Sequence, residues 1–172
     1  MSYRKFKADY IFTGHEVLYR NYVLITNSEG KIIEIVDKKD AGDDVELFKG
    51  ILTPGFVNAH CHLELSHLKG IIPNGTGLVE FVQKVMTQRT ASDEVKFDAM
   101  RLAEQEMYNT GTVAVGDICN TTDSIAIKQK SKLHWHNFIE VSGFTDAAAE
   151  VRLNAAKQIA HTWSMVHGSW SI

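Results

Sequence analysis

The segment NAHCHLELSHLKG (58–70) gathers three histidines, a cysteine and a glutamate within thirteen residues. Neutral imidazoles are common zinc ligands, and His60 and His62 are two residues apart. On a β-strand this spacing puts both imidazoles on one face and Cys61 on the other. The apolar run ILTPGFV precedes them, so both histidines fall at the carboxyl end of a predicted buried strand. The pattern fits a metal site, and it also fits two polar residues that end a strand without binding anything.

A second His-x-His pair, His134 and His136, has the same spacing but precedes an apolar strand, NFIEV. In a parallel α/β barrel the active site lies at the carboxyl ends of the strands, whereas the amino ends contribute to stability. We therefore interpret His134 and His136 as surface or structural residues. Position on the strand, rather than spacing, favours His60 and His62 as metal ligands.

Two imidazoles do not complete a catalytic zinc site, which normally has three protein ligands and a water. Further candidates follow the first strand or lie near the ends of later ones: Glu64, His67, Asp117, Cys119, Glu140 and His167. Each has a simpler interpretation as well. Asp117 could cap a helix, Cys119 could be a small core residue and Glu140 could pair with a lysine.

Elements that could position these side chains follow from the hydrophobic pattern. Residues 1–52 contain short strands rich in β-branched and aromatic residues, with a turn signal at NSEG, and predict a small β-sandwich subdomain. Residues 53–172 alternate between strands and helices and predict parallel α/β structure. The predicted strands are ILTPGFVNAH, TVAVGDI, NFIEVSG and WSMVHGS, and the predicted helices are GLVEFVQKVMTQR, DEVKFDAMRLAEQEMYN (capped by Ser92), DSIAIKQKSK and TDAAAEVRLNAAKQIAHT.

The composition is that of an ordinary globular protein, with a net charge of −3. No basic surface for nucleic acid or for an anionic membrane is indicated, and the basic cluster KQKSK (128–132) is expected to end a solvated helix. The N-terminus has no apolar segment typical of export signals, and no run is long enough to span a membrane. We expect a cytoplasmic protein in which Cys61 and Cys119 are reduced thiols.

The stretch GILTPGFVNAHCHLELS resembles the metal-binding opening of the amidohydrolase superfamily, in which an apolar strand, Pro-Gly and Asn precede His-x-His. The strand-rich region with EGKIIEIVD is similar to the N-terminal part of the β-sandwich in the cytosine deaminase and chlorohydrolase-like branch. HLELSHLKGIIPNGTGLVEFV and TVAVGDICN most resemble the aminodeoxyfutalosine deaminases. The resemblance implies the N-terminal portion, about four βα units, of a metal-dependent (β/α)8 barrel after a β-sandwich subdomain.

The resemblance also implies roles for individual residues. His60 and His62 would bind one divalent metal, zinc or alternatively iron. Glu64 and His67 would face the substrate pocket, and His167, in VHGSWS, would correspond to a histidine that contacts substrate. The implied activity is hydrolytic deamination of a small molecule, a purine-like nucleoside such as aminodeoxyfutalosine.

The remaining ligands and the proton-shuttling glutamate of that superfamily belong to later strands, so no catalytic residue is assigned within these 172 residues. We expect a half-barrel of this kind to be inactive alone and to self-associate through its open edges. The alternatives are a catalytically silent self-associating module, or a guanine deaminase or chlorohydrolase-type enzyme. A doubly wound nucleotide-binding fold is disfavoured because no glycine-rich turn of the required spacing follows a strand.

Overall fold

The computed structural model describes residues 2–143 and 145–167, with the backbone alone for Val166 and His167. It forms two compact units, an N-terminal unit (Met1–Pro54) and a C-terminal unit (Gly55–Ile172). The sequence predicts a boundary between residues 52 and 53, two residues earlier.

The N-terminal unit consists of short strands in two sheets. The strands are β1 (Tyr3–Lys7), β2 (Tyr10–Phe12), β3 (Val17–Tyr19), β4 (Tyr22–Asn27), β5 (Ile32–Asp37), β6 (Val45–Leu47) and β7 (Ile51–Leu52), with a 3-10 turn at Lys38–Asp40. One sheet has the order β5-β4-β1-β6 and the other β3-β2-β7. Val23, Ile25 and Ala41 form the buried core of this unit.

The predicted turn at NSEG joins β4 and β5 as an antiparallel hairpin. The side-chain oxygen of Asn27 accepts hydrogen bonds from the backbone N–H groups of Glu29 and Lys31. Gly30 has a φ of 82°, a value that residues with a side chain rarely adopt. Asn and Gly thus supply the local chemistry that closes this turn.

The C-terminal unit alternates between strands and helices. Its elements are β8 (Phe56–Cys61), a 3-10 helix (Leu63–Leu68), α1 (Leu78–Gln88), α2 (Asp93–Asn109), β9 (Thr112–Cys119), α3 (Ile125–Lys128), β10 (His134–Ile139), a 3-10 turn (Asp146–Ala148) and α4 (Ala149–His167). The three strands form one sheet in the order β10-β9-β8, and both pairings are parallel. The predicted α/β class is confirmed, and the carboxyl ends of the three strands share one edge of the sheet.

Helix α2 begins where its sequence predicts, because the Ser92 side chain accepts a hydrogen bond from the N–H of Val95. Its buried Met100 packs with Leu63 and Ile127, which come from the 3-10 helix and α3. This cluster covers one face of the sheet and forms the core of the unit.

Three sequence predictions need correction. ILTPGFVNAH is not a single buried strand, because Thr53, Pro54 and Gly55 separate β7 from β8 and because Phe56 and Val57 are exposed. The strand predicted as NFIEVSG begins earlier, at His134, where backbone pairing with β9 already starts.

The predicted fourth strand WSMVHGS is wrong over its described residues. Residues 163–167 continue α4, because no Gly or Pro interrupts the chain between Ala149 and His167 and because the helix buries Trp163 almost fully.

Among the described residues, none of the helices combines the length and the apolar character that a membrane span requires.

Candidate functional site

Strand β8 carries one extra residue relative to β9 between Asn58 and Cys61. Asn58 pairs with Val115 and Cys61 pairs with Asp117, so three residues of β8 advance against two of β9. The Asn58 amide contacts the Met107 sulfur on α2, and Cys61 packs against the Leu63 cluster. Both side chains therefore face the helices although they are three positions apart, an offset that would put them on opposite faces of a regular strand, as a β-bulge allows.

This bulge determines where the histidines lie. His60 and His62 flank Cys61, and their rings form an edge-on pair with centroids 5.3 Å apart. His60 is exposed and His62 is half-buried, on the side of the strand away from the Leu63 cluster. The predicted alternation is present: two imidazoles lie together on one face while the thiol between them enters the core.

An open cleft of about 600 Å³ lies at the carboxyl edge of the sheet. His62 follows β8, Asn120 follows β9 and Glu140 follows β10, and all three line it. The Asn120 amide donates to Glu140 Oε2 over 3.0 Å, which joins two of the strand ends. The opposite wall is apolar and comes from one face of α1: Phe81, Val82, Val85 and Met86.

Glu64 also lines this cleft, but its buried carboxylate is engaged with the protein itself. Glu64 Oε2 accepts hydrogen bonds from the N–H groups of Asn120 and Thr121, at 3.1 and 3.0 Å, and from the Thr121 hydroxyl, at 3.0 Å. Glu64 thus fixes the loop after β9 against the 3-10 helix. The sequence did not indicate this role, because the donors are backbone groups 56 and 57 residues away.

His67 does not line the cleft with His62. It lies at a separate, small pocket with Arg89 and Lys96, and its Nε2 is 3.0 Å from the Arg89 carbonyl oxygen, to which it donates. The His167 side chain lies outside the described part of the chain. The structure thus pairs His60 with His62 and places His62 and Glu64 on the cleft, while Glu64 also lines the small pocket that contains His67.

The other candidate residues make contacts that explain them as parts of the fold. Asp117 is buried; its Oδ1 accepts a hydrogen bond from the Leu63 N–H at 2.8 Å, so it caps the 3-10 helix. Cys119 is a buried core residue that contacts Asp117 Oδ2 over 3.2 Å. His134 and His136 lie exposed in the first half of β10, and His136 packs edge-on against Phe138.

Lys128 contradicts the expectation of a solvated helix end. Its side chain is 0% exposed and its ammonium forms an ion pair with Asp117. The same ammonium lies 4.9 Å from the Trp135 ring centroid and 4.7 Å from that of Trp163. Nothing in the sequence indicated this buried pair, because a lysine in a basic segment is normally solvated.

Both cysteines are free thiols. Burial raises the pKa of Cys61 to about 12, and the neighbouring Asp117 charge acts in the same direction. Burial likewise raises the pKa of Cys119 to about 12, although the Lys128 charge opposes it. Neither thiol is therefore ready to act as a thiolate ligand or nucleophile at neutral pH.

The imidazoles fit a metal ion better than the thiols do. Nδ1 of His62 is buried and has no hydrogen-bond partner among the described residues. A metal ligand needs an imidazole nitrogen whose lone pair is not already engaged. Within residues 2–143 and 145–167 no group of three or more His, Cys, Asp or Glu side chains could hold a metal ion. His60 and His62 are therefore candidate partners in a site that needs further ligands.

Known proteins are similar to this chain in sequence and in fold. The chain is 31% identical over 130 residues to the 5-methylthioadenosine/S-adenosylhomocysteine deaminase of Haloarcula marismortui, covering 69% of this chain and 30% of that protein. It is 32% identical over 94 residues to the 5'-deoxyadenosine deaminase of Methanococcoides burtonii, covering 52% of this chain and 21% of that protein.

The crystal structure of Helicobacter pylori aminofutalosine deaminase in complex with methylthio-coformycin superimposes with a TM-score of 0.68 at 22% identity. This match covers 92% of the present chain and 40% of that one, so the fold is shared with part of the enzyme. The chain spans less than half the length of each of these three proteins. The sequence model of the amidohydrolase family matches residues 51–168, which is more than half of the 172 residues. The chain therefore belongs to the amidohydrolase family.

Proposed function

We propose that this chain is the metal-binding N-terminal part of a deaminase that hydrolyses the exocyclic C–N bond of a purine-like nucleoside. His60 and His62 would bind one divalent metal, zinc or alternatively iron. The observation that carries the proposal is the pairing of the two imidazoles, 5.3 Å apart, at the carboxyl end of a parallel strand. Active sites of parallel α/β folds form at that end.

His60 and His62 would hold a metal that, when bound, would supply a nucleophile from water at neutral pH. The protein's own contribution is to fix the site. Asp117 and Glu64 anchor the first two residues after His62, and the Asn120–Glu140 pair shapes the cleft. Because a catalytic zinc normally has three protein ligands, we propose that this chain supplies two and that turnover needs ligands from elsewhere.

The substrate is proposed from both the relatives and the cleft. The two similar sequences are deaminases of adenosine-type nucleosides, and the chain shares its fold with part of an aminofutalosine deaminase. The α1 wall offers an apolar surface for a flat base, and the polar strand ends opposite can hydrogen-bond to it. Aminodeoxyfutalosine is our first candidate. Guanine and chlorinated triazines are the alternatives. We propose that Glu64, His67 and His167 contribute to the substrate pocket, with Glu64 acting chiefly through the loop it holds.

Zinc affinity tests the metal site directly, because the chain contains a matched control. His60→Ala/His62→Ala should weaken zinc binding by more than about 100-fold, beyond the 10–100-fold typical of residues that only support a ligand. His134→Ala/His136→Ala removes the same residues at the same spacing from the other end of a strand and should leave affinity unchanged. Equal loss in the two variants, measured by competition with a chromogenic chelator, would exclude the site.

Ammonia release tests the substrate. We expect the full-length gene product to release ammonia from aminodeoxyfutalosine, methylthioadenosine or 5'-deoxyadenosine, and residues 1–172 alone to release none. Release from guanine only would favour the guanine deaminase alternative. Turnover by residues 1–172 at the rate of the full-length product would contradict the half-site argument.

A second candidate function, a silent self-associating module, is favoured by exposed apolar side chains in the C-terminal unit. Phe56 and Val57 of β8, Phe138 of β10 and Leu78 and Val79 of α1 are all substantially exposed. Such surface is normally covered by protein. A concentration-dependent dimer by light scattering, without zinc binding, would support this module over the deaminase.

A further inference from the structure

We propose that Lys128 is a positioning residue for His62, although it does not line the cleft. It acts through Asp117, which joins the Lys128 ammonium to the backbone directly after His62. The inference rests on the proposed metal site, since it assigns His62 a ligand role.

The Lys128 ammonium is enclosed by groups that suit a cation. It donates to Asp117 Oδ2 and to Asn137 Oδ1, lies 3.3 Å from Cys119 Sγ, and faces the rings of two tryptophans. Neither member of the ion pair lines the cleft, and their side chains are 0% and 1% exposed. Lys128 therefore cannot touch a substrate in the cleft, and any effect on the site must pass through the protein.

Asp117 provides that connection because its two oxygens have different partners. Oδ2 binds Lys128, and Oδ1 accepts the Leu63 N–H at 2.8 Å. Leu63 is fully buried and begins the 3-10 helix, while His62 is the residue just before that helix. The hydrogen bond holds the peptide plane between His62 and Leu63 and thereby fixes the direction in which the His62 side chain leaves the backbone.

The cation is needed to keep this acceptor in place. A buried carboxylate without a partner either takes up a proton or turns toward other donors, and both responses weaken its bond to Leu63. Asn137 Oδ1 and Cys119 Sγ lie at the same ammonium and cannot replace its charge. Lys128 on α3 is therefore the first residue in a series of contacts that continues through Asp117 on β9 to the backbone beside His62.

Three variants of the full chain test the inference. Lys128→Met removes the cation at similar length. Lys128→Met/Asp117→Asn also removes the unpaired charge but keeps a side-chain oxygen for the Leu63 N–H. Lys128→Met/Asp117→Leu is equally uncharged and similar in size but offers no acceptor. The two double variants differ in whether Leu63 keeps a hydrogen-bond acceptor, and the melting curves account for the difference in polarity between Asn and Leu.

Amide hydrogen exchange of Leu63 and zinc affinity are both measured, with melting curves to verify folding. Lys128→Met and the Leu-containing double variant should lose protection at Leu63 and bind zinc about tenfold more weakly, as supporting residues of metal ligands do. The Asn-containing double variant should recover most of both. A purely structural pair would instead lower both double variants equally.

The outcomes separate this inference from the proposed function. Equal Leu63 protection and equal zinc affinity in the two double variants would overturn the positioning role. If Lys128→Met folds and matches the wild type in both measurements, the role of the lysine is also overturned. If Lys128→Met does not fold, recovery of folding and zinc affinity in the Asn-containing double variant alone supports the role. If wild-type zinc binding equals that of His60→Ala/His62→Ala, the proposed function fails, and the role of Lys128 toward a metal ligand fails with it. Hydrogen exchange at Leu63 would still report whether Asp117 holds the backbone.

Discussion

Replacing Glu64 by alanine should release the loop that follows β9. One carboxylate oxygen accepts two backbone N–H groups and one hydroxyl, at 3.0–3.1 Å. Hydrogen bonds to a charged group contribute about 1.5–3 kcal/mol each. The Thr121 hydroxyl can turn to water, so we count only the two backbone donors at the lower value and expect a loss of about 3 kcal/mol. Glu64→Gln keeps an oxygen and loses the charge, and should cost about 1 kcal/mol.

Urea unfolding followed by tryptophan fluorescence at pH 7 measures these losses, because Trp135 and Trp163 belong to the same unit as Glu64. Glu80→Ala is the control: Glu80 forms only an i,i+4 pair with Lys84 on α1, worth about 0.3–0.5 kcal/mol. If Glu64→Ala loses no more stability than Glu80→Ala, the carboxylate does not hold the loop. If Glu64→Gln loses as much as Glu64→Ala, the charge rather than the acceptor is what matters.

Four further predictions concern the two thiols, a helix cap and a surface ion pair. Cys61 and Cys119 should react with iodoacetamide at pH 8 about 10³-fold more slowly than in urea, since a pKa near 12 leaves about 10⁻⁴ as thiolate; equal rates would show that the thiols are not buried. Because both thiol pKa values are raised in the folded state, their contribution to stability is fully present below the unfolded pKa of about 8.5 and is lost as pH rises toward 12. The melting temperature should therefore fall between pH 7 and pH 10. Ser92→Ala removes the cap of α2 and should cost about 1 kcal/mol in the same urea assay, with Ser92→Asp restoring it. The Arg4 guanidinium lowers the pKa of Glu46, so their pair stabilises the fold above the unfolded pKa of about 4.3 and loses that effect as pH falls; Glu46→Gln should lower the melting temperature slightly at pH 7 and not at pH 3.

Local signals predicted most of the elements. The serine cap of α2 lies in its own flanking sequence, and the helix begins after Ser92 and ends at Asn109, as predicted. His60 and His62 were placed correctly at a strand end because a parallel strand has a direction that its flanking sequence reveals. Whether they bind a metal remains a prediction.

Long-range contacts were not predictable in the same way. Lys128 lies in a polar run of the sequence. It is buried in the fold because the Asp117 carboxylate on β9, eleven residues earlier, pairs with its ammonium. Glu64 looked like a pocket residue because its backbone donors carry no side-chain signature. Residues 163–167 resemble a strand in composition, yet they continue a helix whose Trp163 packs over the Lys128 ammonium.

The extra residue in β8 means that this strand can lose one residue without exchanging its two faces. Asn58 and Cys61 both face the helices across the bulge, so deleting Ala59 would leave them two positions apart on a regularly alternating strand. The thiol would still face the core, and the imidazoles would still lie on the other face. Removing a residue from a regularly paired part of the strand would instead shift every later side chain to the opposite face. A single-codon deletion at Ala59 should therefore be a milder genetic lesion than a single-codon deletion in the regular part of the same strand.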